Sequence, residues 1–273
     1  MTPPATTVPE PRHWVLLRGL SREARHWGQF PAQLQARLAP CAVTLLDLPG
    51  NGVHWPQRTP GQVDGLLAAA RAELAGRGLA PPFGLVAMSL GGMVATAWAQ
   101  QHGPELSRLV LINTSMRPFS GITERLRPAH WPRLARLVLR WREAAEVEDA
   151  IHRLTCRHTA SRAQDLAEWL EIRRSAPVSA ANALRQLWAA ARFRAGAAAP
   201  ACPTLVLSGR GDALVNPVCS QRIAAAWGCA HEQHPWAGHD LPHDDAGWTC
   251  EAIAHWLQTL PAPAAQPGLL SIP

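Results

Sequence analysis

The sequence contains no lysine and no tyrosine among its 273 residues. Its net charge of +6 at pH 7 therefore comes from arginine alone. Alanine, proline and tryptophan are also abundant, so a bias in genome composition explains the arginine excess as readily as a function does. The basic charge is thus weak evidence for a nucleic-acid or membrane partner, and no recognised nucleic-acid-binding motif accompanies it. We expect neither partner.

Long apolar segments are also missing. The first twelve residues hold four prolines and no apolar run, so they lack the hydrophobic segment of a secretory signal. Charged or polar residues interrupt every apolar run well before the about 20 residues that a membrane-spanning helix needs. The sequence therefore predicts a cytoplasmic protein.

The six cysteines lie far apart, and no two of them form a Cys-x-x-Cys pair. A chain of this length does not need disulfide bonds to stabilise its core. We expect free thiols, most of them buried.

Short runs rich in leucine or β-branched residues alternate with helix-like patterns, and 47% of the residues are hydrophobic, which is enough for one sizeable core. This alternation predicts an α/β fold with a mostly parallel sheet of about six strands and helices on both faces. The predicted strands are 14–17, 43–46, 83–86, 109–112, 204–207 and 231–234. The predicted helices are 29–38, 62–75, 90–101, 217–227 and 245–257.

The alternation stops once, between 117 and 200, where the pattern is wholly helical. This interruption predicts a helical cap inserted into a core made of 13–116 and 201–260, with flexible ends at 1–12 and 261–273. The clearest cap helix has one apolar face and an opposing arginine stripe. The apolar face comprises Trp131, Leu134, Leu137, Val138 and Trp141, and the stripe comprises Arg133, Arg136 and Arg140.

The sharpest local motif is residues 85–92, LVAMSLGG, in which an apolar strand runs into Ser89 and then directly into a helix. A nucleophilic serine at such a tight turn projects its hydroxyl at the carboxyl edge of the sheet. Small residues, here Ala87 and Gly91, let the backbone bend and a substrate approach. The usual pattern is Gly-x-Ser-x-Gly, so alanine in the first position is a departure. A plain helix N-cap is the alternative interpretation of this serine.

A serine hydroxyl needs a base to take its proton and a carboxylate to orient that base. Asp212 ends a glycine-rich turn after one late strand, and His239 follows the last strand. The interval between Ser89 and Asp212 is long enough to hold the cap, and the interval between Asp212 and His239 fits one helix and one strand. The sequence therefore predicts a triad of Ser89, Asp212 and His239.

These segments resemble those of the α/β-hydrolases in their order along the chain. The chain is similar to the capped esterase branch, which includes the pimeloyl-carrier-protein methyl ester carboxylesterases. The resemblance extends from about Trp14 to Leu257 and includes 47–52, DLPGNG, which resembles the Asp-x-Pro-Gly-x-Gly loop of the family, and 109–114, LVLINT, which resembles the strand leading to the cap.

The resemblance also implies an oxyanion loop at 17–20, LRGL. Its backbone donors would be the N–H groups of Leu20 and Leu90. Arg18 stands where the family typically has histidine, at the implied mouth of the pocket, and could meet a carboxylate on the acyl chain. The alternative is that Arg18 binds backbone carbonyls or an acidic side chain. The candidate substrate-binding residues are Arg18, Met88, Met116 and Leu214.

Other residues invite different interpretations. Histidines 231, 234, 239 and 243 cluster in sequence, but residues three apart in a strand face opposite sides, so we expect no metal site there. Asp47 could be mistaken for the catalytic acid, although the resemblance implies a structural role. His26 and Trp27 either line the pocket or pack the start of a helix.

The sequence as a whole predicts a serine esterase that forms an acyl-enzyme and needs no cofactor. A thioesterase or C–C bond hydrolase with the same triad is an alternative, because the fold does not determine the bond that is cleaved. A binding protein with little turnover is another, whereas serine at the elbow disfavours an aspartate nucleophile. The expected partner is a small-molecule ester, and the basic cap could also dock an acidic acyl-carrier protein.

Overall fold

The computed structural model describes residues 10–261. Its six strands form one parallel sheet in the order β2-β1-β3-β4-β5-β6. The strands are β1 (His13–Leu17), β2 (Ala42–Leu46), β3 (Phe83–Met88), β4 (Leu106–Ile112), β5 (Thr204–Gly209) and β6 (Ala230–His234). All six predicted strands are present, and the predicted α/β-hydrolase fold class, with helices on both faces, is confirmed.

Eleven α-helices accompany the sheet within the described residues. They are α1 (Phe30–Leu38), α2 (Val63–Gly76), α3 (Leu90–Gln101), α4 (Ile122–Arg125), α5 (Trp131–Leu139), α6 (Ala144–Thr155), α7 (Arg162–Ser175), α8 (Ala180–Arg192), α9 (Val218–Trp227), α10 (Leu241–Asp244) and α11 (Ala246–Thr259). None of the helices in residues 10–261 has the length and apolar character needed to cross a membrane.

Alternating side chains of the central strands enter two separate cores, because successive residues of a strand point to opposite faces. In β1, Val15 and Leu17 join a core with α2, α3 and α9. Trp14 and Leu16 join the opposite core with α1 and α11. Strands β3 and β4 are buried along their whole length, which explains their continuous apolar sequence.

The residues between β4 and β5 contain helices α4 to α8, and an isolated β-bridge joins Arg117 to Arg194. We call residues 117–200 the helical segment. Its independence as a cap stays a prediction. The predicted flexible ends lie outside the described residues, except for 10–12 and 261.

The helical segment is attached to loops that leave the carboxyl ends of the strands. Gln186 accepts a hydrogen bond from the backbone N–H of Ser21, after β1, at 2.7 Å. The N–H of Arg127 donates to the carbonyl of Leu214, after β5, and Thr155 accepts from the N–H of Asp240, after β6. The segment therefore lies at the edge of the sheet where loops carry functional groups.

The apolar face predicted for the helix at 131–141 is buried only in part. Leu137 is buried and contacts Leu134 and Trp141 in a small cluster. Trp131 is 42% exposed, and Trp141 lies beyond the end of α5.

All six cysteines are free thiols, as expected. Four of them are buried and two are half-buried.

Candidate active site

Ser89 occupies the tight turn between β3 and α3. Its φ of 54° is positive, a value that residues with side chains rarely adopt, and it costs on the order of 1–3 kcal/mol. The N–H of Ser89 donates to the carbonyl of Ile112 on β4 at 3.0 Å, which anchors the turn to the sheet. The strand, turn and helix predicted from the motif are therefore present, with Ser89 at the strained position.

Glycines surround Ser89 where the backbone of the β1 loop approaches. A Cβ atom at Gly91 would lie 2.5 Å from the carbonyl oxygen of Leu17 and 2.6 Å from that of Arg18. A Cβ atom at Gly19 would lie 3.0 Å from the Cβ of Ser89. The expected need for a small residue at Gly91 thus has a direct steric cause.

Ala87 is fully buried in β3, where it lies between Leu17 of β1 and Leu111 of β4. We expect Ala87→Val to lower kcat by about 100-fold, because a displacement of about 1 Å in a reacting group has this effect. Ala87→Gly should stay active. The kcat values for an aryl ester, with circular dichroism to confirm folding, test this expectation.

The matched control is Ala70→Val, which adds the same two methyl groups to a buried alanine of the same core, on α2. It should lower the melting temperature but leave kcat near the wild-type value, since overpacking costs about 1–3 kcal/mol wherever it occurs. A folded Ala87→Val variant with full activity would contradict the inferred elbow geometry.

His239 lies between Ser89 and Asp212, all three of them brought together by loops at the same sheet edge. Its Nε2 is 3.1 Å from Oγ of Ser89, and its Nδ1 is 2.7 Å from Oδ2 of Asp212. The other carboxylate oxygen of Asp212 accepts the N–H groups of Leu214 and Val215, each at 2.9 Å. Asp212 and His239 are 2% and 3% exposed. The three residues predicted as a triad therefore form a continuous chain of short contacts.

Asn113 fastens the two loops that carry His239 and Asp212, a role that the sequence analysis missed. Its side-chain amide donates to the carbonyls of Gly238 and His239, at 3.0 and 2.8 Å, and accepts from the N–H of Gly209 at 2.9 Å. Asn113 has a φ of 46°. An asparagine directly after β4 was the available signal, because asparagine tolerates a positive φ better than most residues.

The pKa of His239 is raised from its ordinary value of 6.5. Burial is the largest single influence and lowers the pKa, but the charge and hydrogen bond of Asp212, with the charge of Asp240, outweigh it. The charge of Arg18 opposes this rise. The environment thus favours the protonated imidazolium, which is the state that a base reaches after accepting a proton.

The two residues predicted to supply oxyanion donors belong to the start of α3 and to the loop after β1. Leu90 is the first residue of α3. Leu20 follows Gly19, whose Cα faces the Ser89 side chain, and Leu20 packs against the core of the α3 face. The loop that the sequence singled out therefore contacts the elbow.

Arg18 forms a buried, two-pronged ion pair with Asp240. Its two terminal nitrogens donate to the two carboxylate oxygens at 2.9 and 2.6 Å. The side chains of Arg18 and Asp240 are only 2% and 3% exposed. The guanidinium also contacts the Met88 sulfur at 3.4 Å and lies 4.7 Å from the centre of the Trp27 ring. The acidic-partner alternative for Arg18 is thus the arrangement that the structure has.

The other candidate substrate contacts are enclosed to different degrees. Met88 and Met116 are buried, in cores on opposite faces of the sheet. Leu214 is half-buried beside the loop of Asp212. A role of these three residues in substrate binding stays a prediction.

Asp47 accepts the N–H groups of Ala24 at 2.7 Å and Val53 at 3.0 Å, and so joins two loops. His26 is buried and accepts the N–H of Glu23 at 3.1 Å. Trp27 stacks on Phe30 at the start of α1. Asp47 therefore joins the two loops that hold Ala24 and Val53, and a place of His26 and Trp27 in the pocket stays a prediction.

The histidines that cluster in sequence separate in the fold. His231 contacts Ser208 at 2.9 Å, and His234 contacts Asp245 at 3.3 Å. His239 belongs to the triad, whereas His243 approaches His152 and Cys156 of the helical segment.

Comparisons with known proteins identify the family of this chain. The model of a family described as the alpha/beta hydrolase family matches residues 14–252. A comparison with curated protein sequences found no match.

Solved structures that resemble the chain share its architecture at low sequence identity. An enol-lactonase from Burkholderia xenovorans LB400 has a TM-score of 0.74 at 19% identity, with 92% of each chain covered. A thermophilic esterase from Thermogutta terrifontis has a TM-score of 0.66 at 23% identity, with 92% of this chain and 91% of that chain covered. BpoC from Mycobacterium tuberculosis H37Rv, which is named a non-heme bromoperoxidase, has a TM-score of 0.69 at 19% identity, with 93% and 94% covered. Similarity at this level shows the fold.

Proposed function

Because the chain belongs to the alpha/beta hydrolase family, we propose that it is a serine esterase that cleaves a carboxylic ester. The observation that carries the proposal is the pair of contacts made by His239, 3.1 Å to Ser89 Oγ and 2.7 Å to Asp212 Oδ2. Since a carboxylate can only accept hydrogen bonds, the proton of His239 lies on Nδ1, and this N–H donates a hydrogen bond to Asp212. Nε2 is then left with its lone pair facing the serine hydroxyl.

In the first half-reaction, Ser89 Oγ attacks the ester carbonyl carbon while Nε2 of His239 takes the hydroxyl proton. The tetrahedral intermediate collapses, the C–O bond to the alcohol breaks, and His239 returns the proton to the departing alcohol. The N–H groups of Leu20 and Leu90 stabilise the oxyanion. Water, activated by the same histidine, then releases the acid from Ser89.

The helical segment acts as the cap in this proposal. Its hydrogen bonds to the loops after β1, β5 and β6 support a position over the carboxyl edge of the sheet. The segment then determines which acyl and alcohol groups reach Ser89.

A fluorophosphonate probe and a panel of substrates test the proposal. We expect the probe to label Ser89, and we expect repeated turnover of aryl esters with a dependence on acyl length. Ser220→Ala, which alters another buried serine, on α9, is the matched control and should still be labelled. Turnover of thioesters or of C–C bonds in preference to esters would replace the esterase assignment, and labelling without turnover of any substrate would favour a binding protein.

The pH profile of kcat/KM should have an acid limb with an inflection above 6.5, because the pKa of His239 is raised from that value and only the neutral imidazole accepts the serine proton. The rate should therefore fall as the pH decreases through this raised pKa. Measurements with a substrate that does not titrate in this range isolate the enzyme. An inflection below 6.5 would contradict the raised pKa of His239.

The sequence also resembles esterases that act on carrier-bound acyl groups. In this chain a carrier protein would dock on the helical segment. Its arginines would steer an acidic carrier protein by long-range attraction. However, Arg140 pairs with Glu146, Arg173 with Glu148 and Arg174 with Glu171, so much of this charge is balanced within the segment.

We therefore expect the salt dependence of kcat/KM to be nearly parallel for a carrier-linked ester and a small aryl ester. Charges on the surface are screened beyond about 10 Å at 0.1 M salt, so a docking surface would reveal itself by a steep loss for the carrier-linked ester alone. Arg136→Glu with Arg140→Glu would reproduce that loss if docking occurred. Such a result would contradict our expectation and support the carrier protein as partner.

A further inference from the structure

Three side chains with metal-ligating atoms meet away from the triad, where the helical segment contacts the core. His152 and Cys156 come from the end of α6, four residues apart, and His243 comes from α10. Their ligand atoms all lie within 4.8 Å of one another. His152 and Cys156 are buried and His243 is half-buried.

A carboxylate oxygen lies beside the two histidines of this group. Oδ2 of Asp165, on α7, is 3.0 Å from Nε2 of His152 and 3.2 Å from Nε2 of His243. The Ser161 hydroxyl donates to this same oxygen at 3.0 Å. The Nε2 atoms of His152 and His243 and the hydroxyl of Ser161 thus all contact the same oxygen of Asp165.

We propose that His152, Cys156, Asp165 and His243 form a structural zinc site. Two imidazole nitrogens, one thiolate and one carboxylate oxygen make up a tetrahedral set that suits Zn²⁺. Binding would displace the thiol proton of Cys156 to solvent, and each histidine would bind through one ring nitrogen. The site has no part in the proposed ester hydrolysis and does not depend on it.

The distances within the cluster fit such a site. Bonds of about 2.0–2.3 Å in a tetrahedron place neighbouring ligand atoms about 3.3–3.7 Å apart. The two oxygen to nitrogen distances, 3.0 and 3.2 Å, are close to that range. The ligand atoms of His152, Cys156 and His243 lie at most 4.8 Å apart, so a shift of about 1 Å would bring them to these distances.

A pocket beside the cluster gives an ion access to it, and the arginines of this pocket are held by other groups. A pocket of about 580 Å³ is lined by His152 and Cys156, so an ion has a path to them. Among the arginines that line this pocket, Arg153 and Arg162 both pair with Asp149. Arg157 donates to a backbone carbonyl at 2.8 Å.

Other charged groups face the cluster as well. Asp240 and Asp244 place negative charge near Cys156, and Arg22 places positive charge near it. Arg22 is itself paired with Glu148 at 2.7 Å. Asp240 is likewise paired, with Arg18 at 2.6 Å.

A zinc ion there would join α6 and α7 of the helical segment to α10, which begins two residues after His239. It would therefore fasten the segment to the loop that carries the histidine of the triad. The expected consequence is greater thermal stability of the whole chain.

The test uses the full chain, treated with a chelator, dialysed against Zn²⁺ and passed over a desalting column. We expect one zinc per chain by elemental analysis, and a rise of about 5 °C in Tm at about a hundredfold excess over Kd. With Co²⁺ in place of zinc, a thiolate-to-cobalt charge-transfer band should appear. Cys156→Ser should abolish this band, and His243→Asn should abolish zinc retention.

Matched controls are Cys41→Ser and His255→Asn, which remove a half-buried thiol and an exposed imidazole elsewhere. Both should retain one zinc and the cobalt band. The proposal is overturned if the wild-type chain retains no zinc, or if Cys156→Ser and His243→Asn retain as much as their controls. Because the readouts are metal content and spectra, their failure is distinguishable from a failure of the proposed esterase activity.

Discussion

Replacing Ser89 by alanine is expected to lower kcat for ester hydrolysis by about 1,000-fold or more. The substitution removes the Oγ that lies 3.1 Å from His239, so no acyl-enzyme can form. It also leaves the fold intact, because alanine tolerates the strained turn no worse than serine does. Kinetics with an aryl ester and labelling by the fluorophosphonate probe measure the effect.

The same loss is expected for His239→Ala and Asp212→Asn, and the losses should not add. Removing one member of a triad already disables the unit, so a double variant should be about as slow as either single variant. Some rate above that of water should remain from the oxyanion donors. Undiminished turnover in Ser89→Ala, or losses that multiply in the double variants, would contradict the assignment of these residues.

Replacing Asp240 by asparagine should lower the free energy of unfolding by about 3–5 kcal/mol, because it leaves Arg18 buried without a counter-charge. The carboxylate is firmly ionised in the native pair: burial raises the pKa of Asp240, but the charge and hydrogen bonds of Arg18 lower it further, to about 2. Urea unfolding followed by circular dichroism measures the loss.

Asp240→Asn should also move the acid limb of the pH profile to lower pH. The charge of Asp240 raises the pKa of His239, and the charge of Arg18 lowers it. Asp240→Asn removes the first influence and leaves the second in place, so the pKa of His239 should fall. A limb that stays in place would show that the Arg18–Asp240 pair does not influence His239.

Two control variants distinguish how burial and charge each contribute to the loss of stability. In Glu73→Gln, the partly exposed pairs of Glu73 with Arg77 and His54 are weakened, and the loss should stay below about 1 kcal/mol. In Arg18→Gln combined with Asp240→Asn, neither charge remains, so part of the stability lost in Asp240→Asn should return.

Arg18→Gln alone tests whether Arg18 contacts a carboxylate on the acyl chain, as the sequence suggested. Since both terminal nitrogens bind Asp240, we expect equal losses on neutral esters and on dicarboxylic half-esters. A selective rise of KM for the half-esters would show instead that Arg18 meets the substrate.

Local patterns were sufficient to predict the sheet and the order of its functional groups. Five of the six strands contain a short apolar run, the exception being the polar β6, and the motif around Ser89 contains its strand, turn and helix within eight residues. Chain order then placed Asp212 and His239 at later strand ends. No local pattern predicted that Trp131 would be exposed, because the burial of a helix face depends on what packs against it.

Residues that are distant in the sequence carried no comparable signal. Asn113 lies 126 positions from His239, whose carbonyl it binds. Arg18 and Asp240 are 222 positions apart. An arginine and an aspartate in separate loops look like ordinary polar residues until the fold buries them against each other.

The sequence by itself determined the fold class, the elbow at Ser89 and the succession of Ser89, Asp212 and His239, because these features arise from neighbouring residues and from their order along the chain. Only the tertiary structure decided that Arg18 meets Asp240, that Asn113 fastens the loops, and that His152, Cys156, Asp165 and His243 converge. The physical reason is that parallel strands collect the loops of distant segments at one edge of the sheet, where packing determines which side chains touch.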